Sequence, residues 1–144
     1  MNRLLDTDTC VYIIRGKQPD VRRRLEACTV GEVCVSSITV AELSVGALKS
    51  ARPSENTEAL KQFLLPLVVL SFGEAAAFEY GNVRTHLEAA GTKIGALDTF
   101  IAAHARSVGA TLVTNNTREF SRVPGLQLEN WIAGDGPKAV EGGK

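Results

Sequence analysis

The stretch "RLLDTDTCVYIIRG", residues 3–16, sets the reading of the whole chain. Its first three residues form a short apolar run that suits a strand, and Thr7–Arg15 suits a helix that follows without a loop. Between them stands Asp6, with a second acid, Asp8, two positions later. Two accounts compete for the pair. Thr7 or Asp8 caps the incoming helix, because side-chain oxygens there satisfy amides that have no intrahelical partner. Alternatively, a carboxylate leaving a strand holds something positive.

The alternation continues along the chain. "DVRRRLEAC" (20–28) reads as a helix after Pro19, a favoured first-turn residue, and "EVCVS" (32–36) reads as a β-branched strand. "SITVAELSVGALKS" (37–50) places Ile38, Ala41, Val45 and Leu48 at helical spacing. "ARPSENTEALKQFLL" (51–65) supplies a turn, a Ser54 cap and a helix halted by Pro66; "LVVLS" (67–71) is a buried strand. A long helix over residues 73–90 ends at Gly91, and another over 95–110 closes at Gly109. "TLVT" (111–114) and "LQLENW" (126–131) are the last strands, and the Gly-rich segment 133–144 is expected to be a flexible tail. Strands alternating with helices predict one α/β domain over residues 1–132, with a mainly parallel sheet covered on both faces.

Composition limits the function classes. A chain of 144 residues is one domain, large enough to bury roughly 68–70% of its unfolded surface. Hydrophobic residues make up 44% and charged residues 22%, as expected of a globular protein. Cys10, Cys28 and Cys34 are an odd number without CxxC spacing, which favours free thiols in a reducing cytosol. "MNRLLDTD" lacks an apolar signal region, and "FLLPLVVL" (63–70) is too short to span a bilayer, so a soluble, cytoplasmic protein without membrane association is expected. Sixteen Lys+Arg balance sixteen Asp+Glu. Nucleic-acid binding therefore has to come from a local patch or a bound cation. The basic run "RRR" (22–24), near Arg15 and Lys17, reads first as a solvated helix face.

In open parallel sheets, ligands bind beyond the carboxyl ends of the strands. Asp6 follows the first strand, Asn115 and Asn116 follow "TLVT", and Glu42 lies early in the helix after the second strand. Each polar residue has a structural explanation. "TVAE" (39–42) matches a capping box, Asp98 occupies a first turn where the helix dipole favours an anion, and Asn116 suits a cap. Context weakens these explanations. Glu42 sits inside an apolar pattern that already starts at Ile38, which makes Thr39 a late cap. Gly46, one turn on, costs about 1 kcal/mol relative to alanine and suggests a close approach. Asp98 lies between Leu97 and the apolar run "FIAA".

Converging carboxylates repel unless protonated or neutralised, and an all-oxygen site suits a hard cation such as Mg²⁺ or Mn²⁺. Such a centre fits phosphate chemistry. His86 and His104 have no zinc-ligand spacing, and no GxSxG, GxxxxGK[ST] or GxGxxG motif is present. A phosphoacceptor signalling domain would need an aspartate after the middle strand and a later lysine, and "LVVLSFGE" and "TLVTNN" supply neither.

Three segments, "LLDTDTCVYIIRG" (4–16), "SSITVAELSVGA" (36–47) and "IGALDTFIAAHARSVGATLVTNNTREFSRVPGLQLENW" (94–131), closely resemble PIN-domain proteins of the VapC toxin group. The likeness spans roughly residues 2–131, in the same order and at similar separations. It implies a PIN-like three-layer α/β/α sandwich and a Mg²⁺-dependent endoribonuclease, with Mn²⁺ as a possible substitute. It also implies a homodimer, a cognate VapB-type antitoxin, contact with operator DNA only through that antitoxin, and a tRNA or other structured RNA as target, cut to leave a 5′-phosphate and a 3′-hydroxyl.

Carried over by position, the family's metal-binding acids fall on Asp6, Glu42 and Asp98. Many PIN domains place a further aspartate after the strand corresponding to "LVT"; here Asn115 and Asn116 stand there, and Glu119 offers an acid one turn later. One-metal and two-metal sites both remain open on this pattern. Thr7, Thr99 and Thr114 are placed to hydrogen-bond carboxylates or phosphate, with Asn115, Arg15, Lys17 and Arg22–Arg24 as weaker substrate contacts. The competing expectation is a catalytically weakened PIN-fold protein that only binds RNA or a partner.

Overall fold

The computed structural model describes residues 2–132; the expected tail, 133–144, lies outside them. Among the described residues, five strands and seven helices follow one another as β1 (Arg3–Leu5), α1 (Thr7–Arg15), α2 (Pro19–Glu26), β2 (Val33–Ser36), α3 (Ser37–Lys49), α4 (Pro53–Leu64), β3 (Val68–Leu70), α5 (Glu74–Ala90), α6 (Ala96–Val108), β4 (Thr111–Val113), α7 (Thr117–Phe120) and β5 (Leu128–Glu129). The strands form one sheet in the order β3-β2-β1-β4-β5, and every described pairing is parallel.

Side chains of successive strand residues point to opposite faces, so each short strand contributes to two cores. Leu4, Cys34, Leu112 and Leu128 face a core completed by Val83 and Leu87 of α5, Ile101 and Ala105 of α6, and Phe120 of α7. Leu5, Val33, Val35 and Val113 face the other, with Cys10, Ile13, Val21, Leu43 and Leu60 from α1–α4. Helices on both faces of a parallel sheet make the three-layer α/β/α sandwich that was expected. Gly16, Gly91 and Gly109 take left-handed conformations (φ 69°, 70° and 67°) and end α1, α5 and α6.

Three local expectations are corrected. Strand β3 is not buried: it is an edge strand with β2 as its one neighbour, and Val68 and Val69 are 40% and 46% exposed. Helix α4 starts at Pro53, so Ser54 lies inside its first turn and is not the cap. The space beside Gly46 is open, with no atom within 4 Å of where a Cβ would stand, so no close approach explains that glycine.

The "RRR" run has structural work. The Arg22 guanidinium donates to the Ile13 carbonyl at 2.7 Å, near the end of α1. Arg23 pairs with Asp20, and Arg24 lies over the Trp131 ring, 5.5 Å from its centroid. Trp131 is buried in the second core and donates through Nε1 to Glu129, which also binds Arg3. Cys10 and Cys34 are buried, Cys28 is half-buried, and all three thiols are free.

Candidate active site

From β1 the chain steps outward through β2 to β3, then returns to place β4 on the other side of β1. The carboxyl ends of β1 and β4 therefore flank the topological switch point, where open α/β sheets hold their ligands. Asp6 and Thr114 are the first residues past those two ends. The Asp6 amide continues the ladder by donating to the Val113 carbonyl at 3.0 Å.

Asp6 is itself the cap of α1: its Oδ1 accepts from the Thr9 amide at 2.8 Å. This corrects the expectation that Thr7 or Asp8 provides the cap. Asp8 is exposed on the first turn, and Thr7 has another partner. Only 4% of Asp6 is exposed. Burial raises its pKa, against the opposing pull of hydrogen bonds from the Thr114 side chain and the Thr9 amide. One Asp6 oxygen is thus committed to the helix, which fixes the carboxylate at the carboxyl end of the central strand.

Glu42 reaches the same place from α3. The cap of that helix is Ser36, whose hydroxyl accepts from the Ile38 amide at 3.0 Å, so the "TVAE" capping box does not form. Freed from capping, the Glu42 carboxylate accepts from the Thr7 hydroxyl at 2.6 Å, and Thr7 also lies 3.2 Å from the Thr39 hydroxyl.

Asp98 comes from the first turn of α6. Its pKa is pushed up to about 6, first by burial and then by the charges of Asp6, Glu119, Asp8 and Glu42. The charges of Asp6, Glu42 and Glu119 thus all bear on Asp98. Gly95 opens the helix beside it, and a Cβ there would stand 3.8 Å from Asp98 Oδ2. The Thr99 hydroxyl donates to the Gly95 carbonyl of its own helix at 2.8 Å.

At the fourth position, Asn116 precedes α7 but makes no side-chain cap. Its Nδ2 donates to Glu119 Oε1 at 3.2 Å, and its backbone amide donates to the Thr114 hydroxyl at 2.8 Å. Asn115 accepts at Oδ1 from the Asn130 side chain, so it is tied to the end of β5. Arg15 and Lys17 are exposed where α1 ends and have no ion-pair partner among the described residues.

The donor set is oxygen throughout, and no described ion pair involves Asp6, Glu42, Asp98 or Glu119. Their mutual repulsion is therefore relieved by protons or by an added cation. No three His, Cys, Asp or Glu side chains among the described residues already stand at metal-holding separation. Asp6, Glu42 and Glu119 are instead held by hydroxyls, an amide and a backbone N–H. In kind the set fits a hard divalent cation, which would compete with the proton that burial and neighbouring charge make Asp98 hold more tightly than usual.

A groove of about 500 Å³ lies elsewhere, lined by apolar residues including Ile13, Leu25, Val30 and Phe63. It contains none of the converging acids, so chemistry rather than size identifies the site.

The sequence matches the PIN domain family over residues 3–126. The chain belongs to the PIN-domain family. Within it the relatives are VapC ribonucleases. It is 42% identical over 128 residues to the tRNA(fMet)-specific endonuclease VapC of Salmonella typhimurium, covering 89% of this chain and 96% of that one. It is 43% identical over 129 residues to ribonuclease VapC2 of Haemophilus influenzae, covering 90% and 97%. Among solved structures, VapBC2 from Rickettsia felis bound to a DNA fragment from its promoter aligns with a TM-score of 0.84 at 41% identity, covering 91% of this chain and 99% of that one.

Three residues of this PIN-domain site were missed. Thr9 positions Asp6 through its amide and donates its hydroxyl to the Val113 carbonyl at 3.2 Å. Asp6 and Thr9 stand at cap spacing, a signal visible in "DTDT". Thr39 is fully buried beside Thr7, and Asn130 is buried just after β5. Asn130 also had a positional hint, as a polar residue leaving a strand at the ligand end of the sheet.

Proposed function

We propose that this chain is a Mg²⁺-dependent endoribonuclease, the toxin of a type II toxin–antitoxin pair, which hydrolyses phosphodiester bonds in a tRNA and so inhibits translation. The observation that supports the reading is that Asp6 stands at the β1/β4 switch point and that its charge and those of Glu119 and Glu42 act on Asp98, without a basic partner among the described residues. The tRNA target follows the name of the Salmonella relative, and the VapB-type antitoxin follows the VapBC composition of the structural neighbours. Action as a homodimer in the cytoplasm completes the reading; no described helix is long and apolar enough to cross a membrane.

When bound, a divalent cation supplies activation of water and stabilisation of charge on the phosphate and the leaving oxygen. The protein's residues do the rest. Asp6 and Asp98 would hold the cation, Asp6 kept in place by its hold on the Thr9 amide. Glu42, oriented by Thr7, completes the site or orients water. Asn116 offers an amide oxygen without added charge and engages Glu119 through its NH₂. Arg15 and Lys17 are free to meet the RNA backbone, a charge-assisted contact that positions the strand without reading its sequence.

Incubation of the purified protein with a total tRNA pool tests this. Discrete fragments with 5′-phosphate ends are expected with Mg²⁺ and none with EDTA. Binding of tRNA without cleavage under both conditions would favour the weakened, binding-only PIN protein that Asn116 makes conceivable.

A further inference from the structure

A buried polar chain runs behind the acids and touches none of them. The Ser36 hydroxyl, fully buried at the junction of β2 and α3, accepts from the Ile38 amide at 3.0 Å and lies 2.8 Å from Nδ1 of His104, on α6. His104 is 1% exposed, and its ring also bonds the Ser71 backbone at the end of β3. One Ser36 lone pair already serves Ile38, so its hydroxyl proton is available to Nδ1. With that proton donated to Nδ1, the imidazole is the neutral tautomer that carries its own hydrogen on Nε2. The buried Ser36 hydroxyl thus has both of its partners inside the protein, as burial demands.

The surroundings hold the ring in place. Phe72 packs edge-on against both His104 and Phe100, with centroids 5.3 Å and 5.4 Å away. The Phe72 amide donates to the Ser37 hydroxyl at 3.0 Å, which ties the end of β3 to the first residue of α3. His104 therefore joins α6, which carries Asp98, to the cap of α3, which carries Glu42. No helical propensity demands a histidine in the run "FIAAHARSV", where its neighbours are alanines.

We infer that His104 is a positioning residue, which fixes the start of α3 through the Ser36 hydroxyl and thereby sets where Glu42 meets Asp6 and Asp98. The inference rests on the ribonuclease reading of that site. Ser36 is the only side-chain cap α3 has, and Glu42 follows it by six residues. A small rotation of α3 at its start displaces the Glu42 carboxylate while leaving the fold intact.

The test compares His104→Leu, His104→Asn and His104→Gln in the full chain. Asn carries an acceptor near the Nδ1 position and keeps the Ser36 bond; Gln reaches toward Ser71 instead. Single-turnover cleavage of tRNA with Mg²⁺ is measured beside hydrogen exchange of the Ile38–Glu42 amides. Loss of the Ser36 bond in the Leu and Gln variants is expected to lower the cleavage rate roughly ten- to hundredfold. KM for RNA stays unchanged, the α3 amides exchange faster, and Asn restores both readouts. Should Leu fail to fold, the Asn–Gln contrast decides alone. Equal cleavage and unchanged α3 protection in Gln and wild type overturn the inference, as does an Asn variant no better than Gln. Wild-type protein that cuts no RNA with Mg²⁺ defeats the ribonuclease reading, and this inference with it.

Discussion

Thr7 Oγ1 donates a 2.6 Å hydrogen bond to Glu42 Oε1, joining the first turn of α1 to α3 across 35 residues of sequence. The bond ties Glu42 to the residue that directly follows Asp6. Thr7→Val removes the donor and preserves shape. The expected result is a fall in cleavage rate on the order of tenfold, with a stability loss of about 1 kcal/mol for one part-buried hydrogen bond. Single-turnover kinetics beside a thermal melt check both; an unchanged rate would show that Glu42 needs no positioning by Thr7.

Asp98 makes the site sensitive to pH. Its carboxyl titrates near 6 in the folded protein, against an ordinary value of 3.8. Between those values the folded chain binds the extra proton, so stability from this group is fully present below about pH 4 and is lost as pH rises through 6. Asp98→Asn should therefore melt a few degrees above wild type at pH 7.5 without metal, with the gap closing toward pH 4. The cation competes with that same proton, so stabilisation by Mg²⁺ or Mn²⁺ should weaken as pH falls below about 6. A gap that widens on acidification would reverse the sign and contradict the coupling.

The fourth acidic position separates two residues. Asn116 holds Glu119 through a 3.2 Å bond. If Glu119 serves the cation, Glu119→Gln should raise the Mg²⁺ concentration for half-maximal cleavage several-fold, and Asn116→Ala should do so less. Titration of activity against Mg²⁺ for the two variants reads this directly. A larger effect from Asn116→Ala would assign the position to the asparagine.

Basic residues near α1 divide by what they touch. Arg22→Ala removes the bond to the Ile13 carbonyl and is expected to cost about 1 kcal/mol of stability with no change in KM for tRNA. Arg15→Ala with Lys17→Ala should leave the melting temperature in place, raise KM, and flatten its dependence on salt, because fewer phosphate counterions are released. Binding isotherms at two salt concentrations distinguish the classes.

How much of this was legible in the sequence depended on the range of the interaction. Strand-to-helix alternation, Gly91 and Gly109 as helix ends, and Asp6, Glu42 and Asp98 as polar residues out of place among apolar ones are local signals. They located the fold and the acids. The cap assignments failed where two residues compete for one role. Asp6 serves as cap and as candidate ligand together, Ser36 displaced Thr39 one turn earlier, and Pro53 moved the start of α4 ahead of Ser54. The exposure of β3 depends on sheet order, which the apolar run "LVVL" does not encode. The partners Thr39 to Thr7, Asn130 to Asn115 and His104 to Ser36 are separated by 32, 15 and 68 residues, beyond any periodicity argument.

Asp6, Glu42 and Asp98 are proposed to cut RNA together with a divalent cation. Cleavage of one purified tRNA with Mg²⁺, by wild type and by Asp98→Ala prepared in parallel, tests this most directly. Wild type should yield defined fragments that EDTA abolishes, and the variant should lose at least a hundredfold in rate, roughly the scale at which a misplaced catalytic group is felt. Equal cleavage by the two proteins would contradict the account.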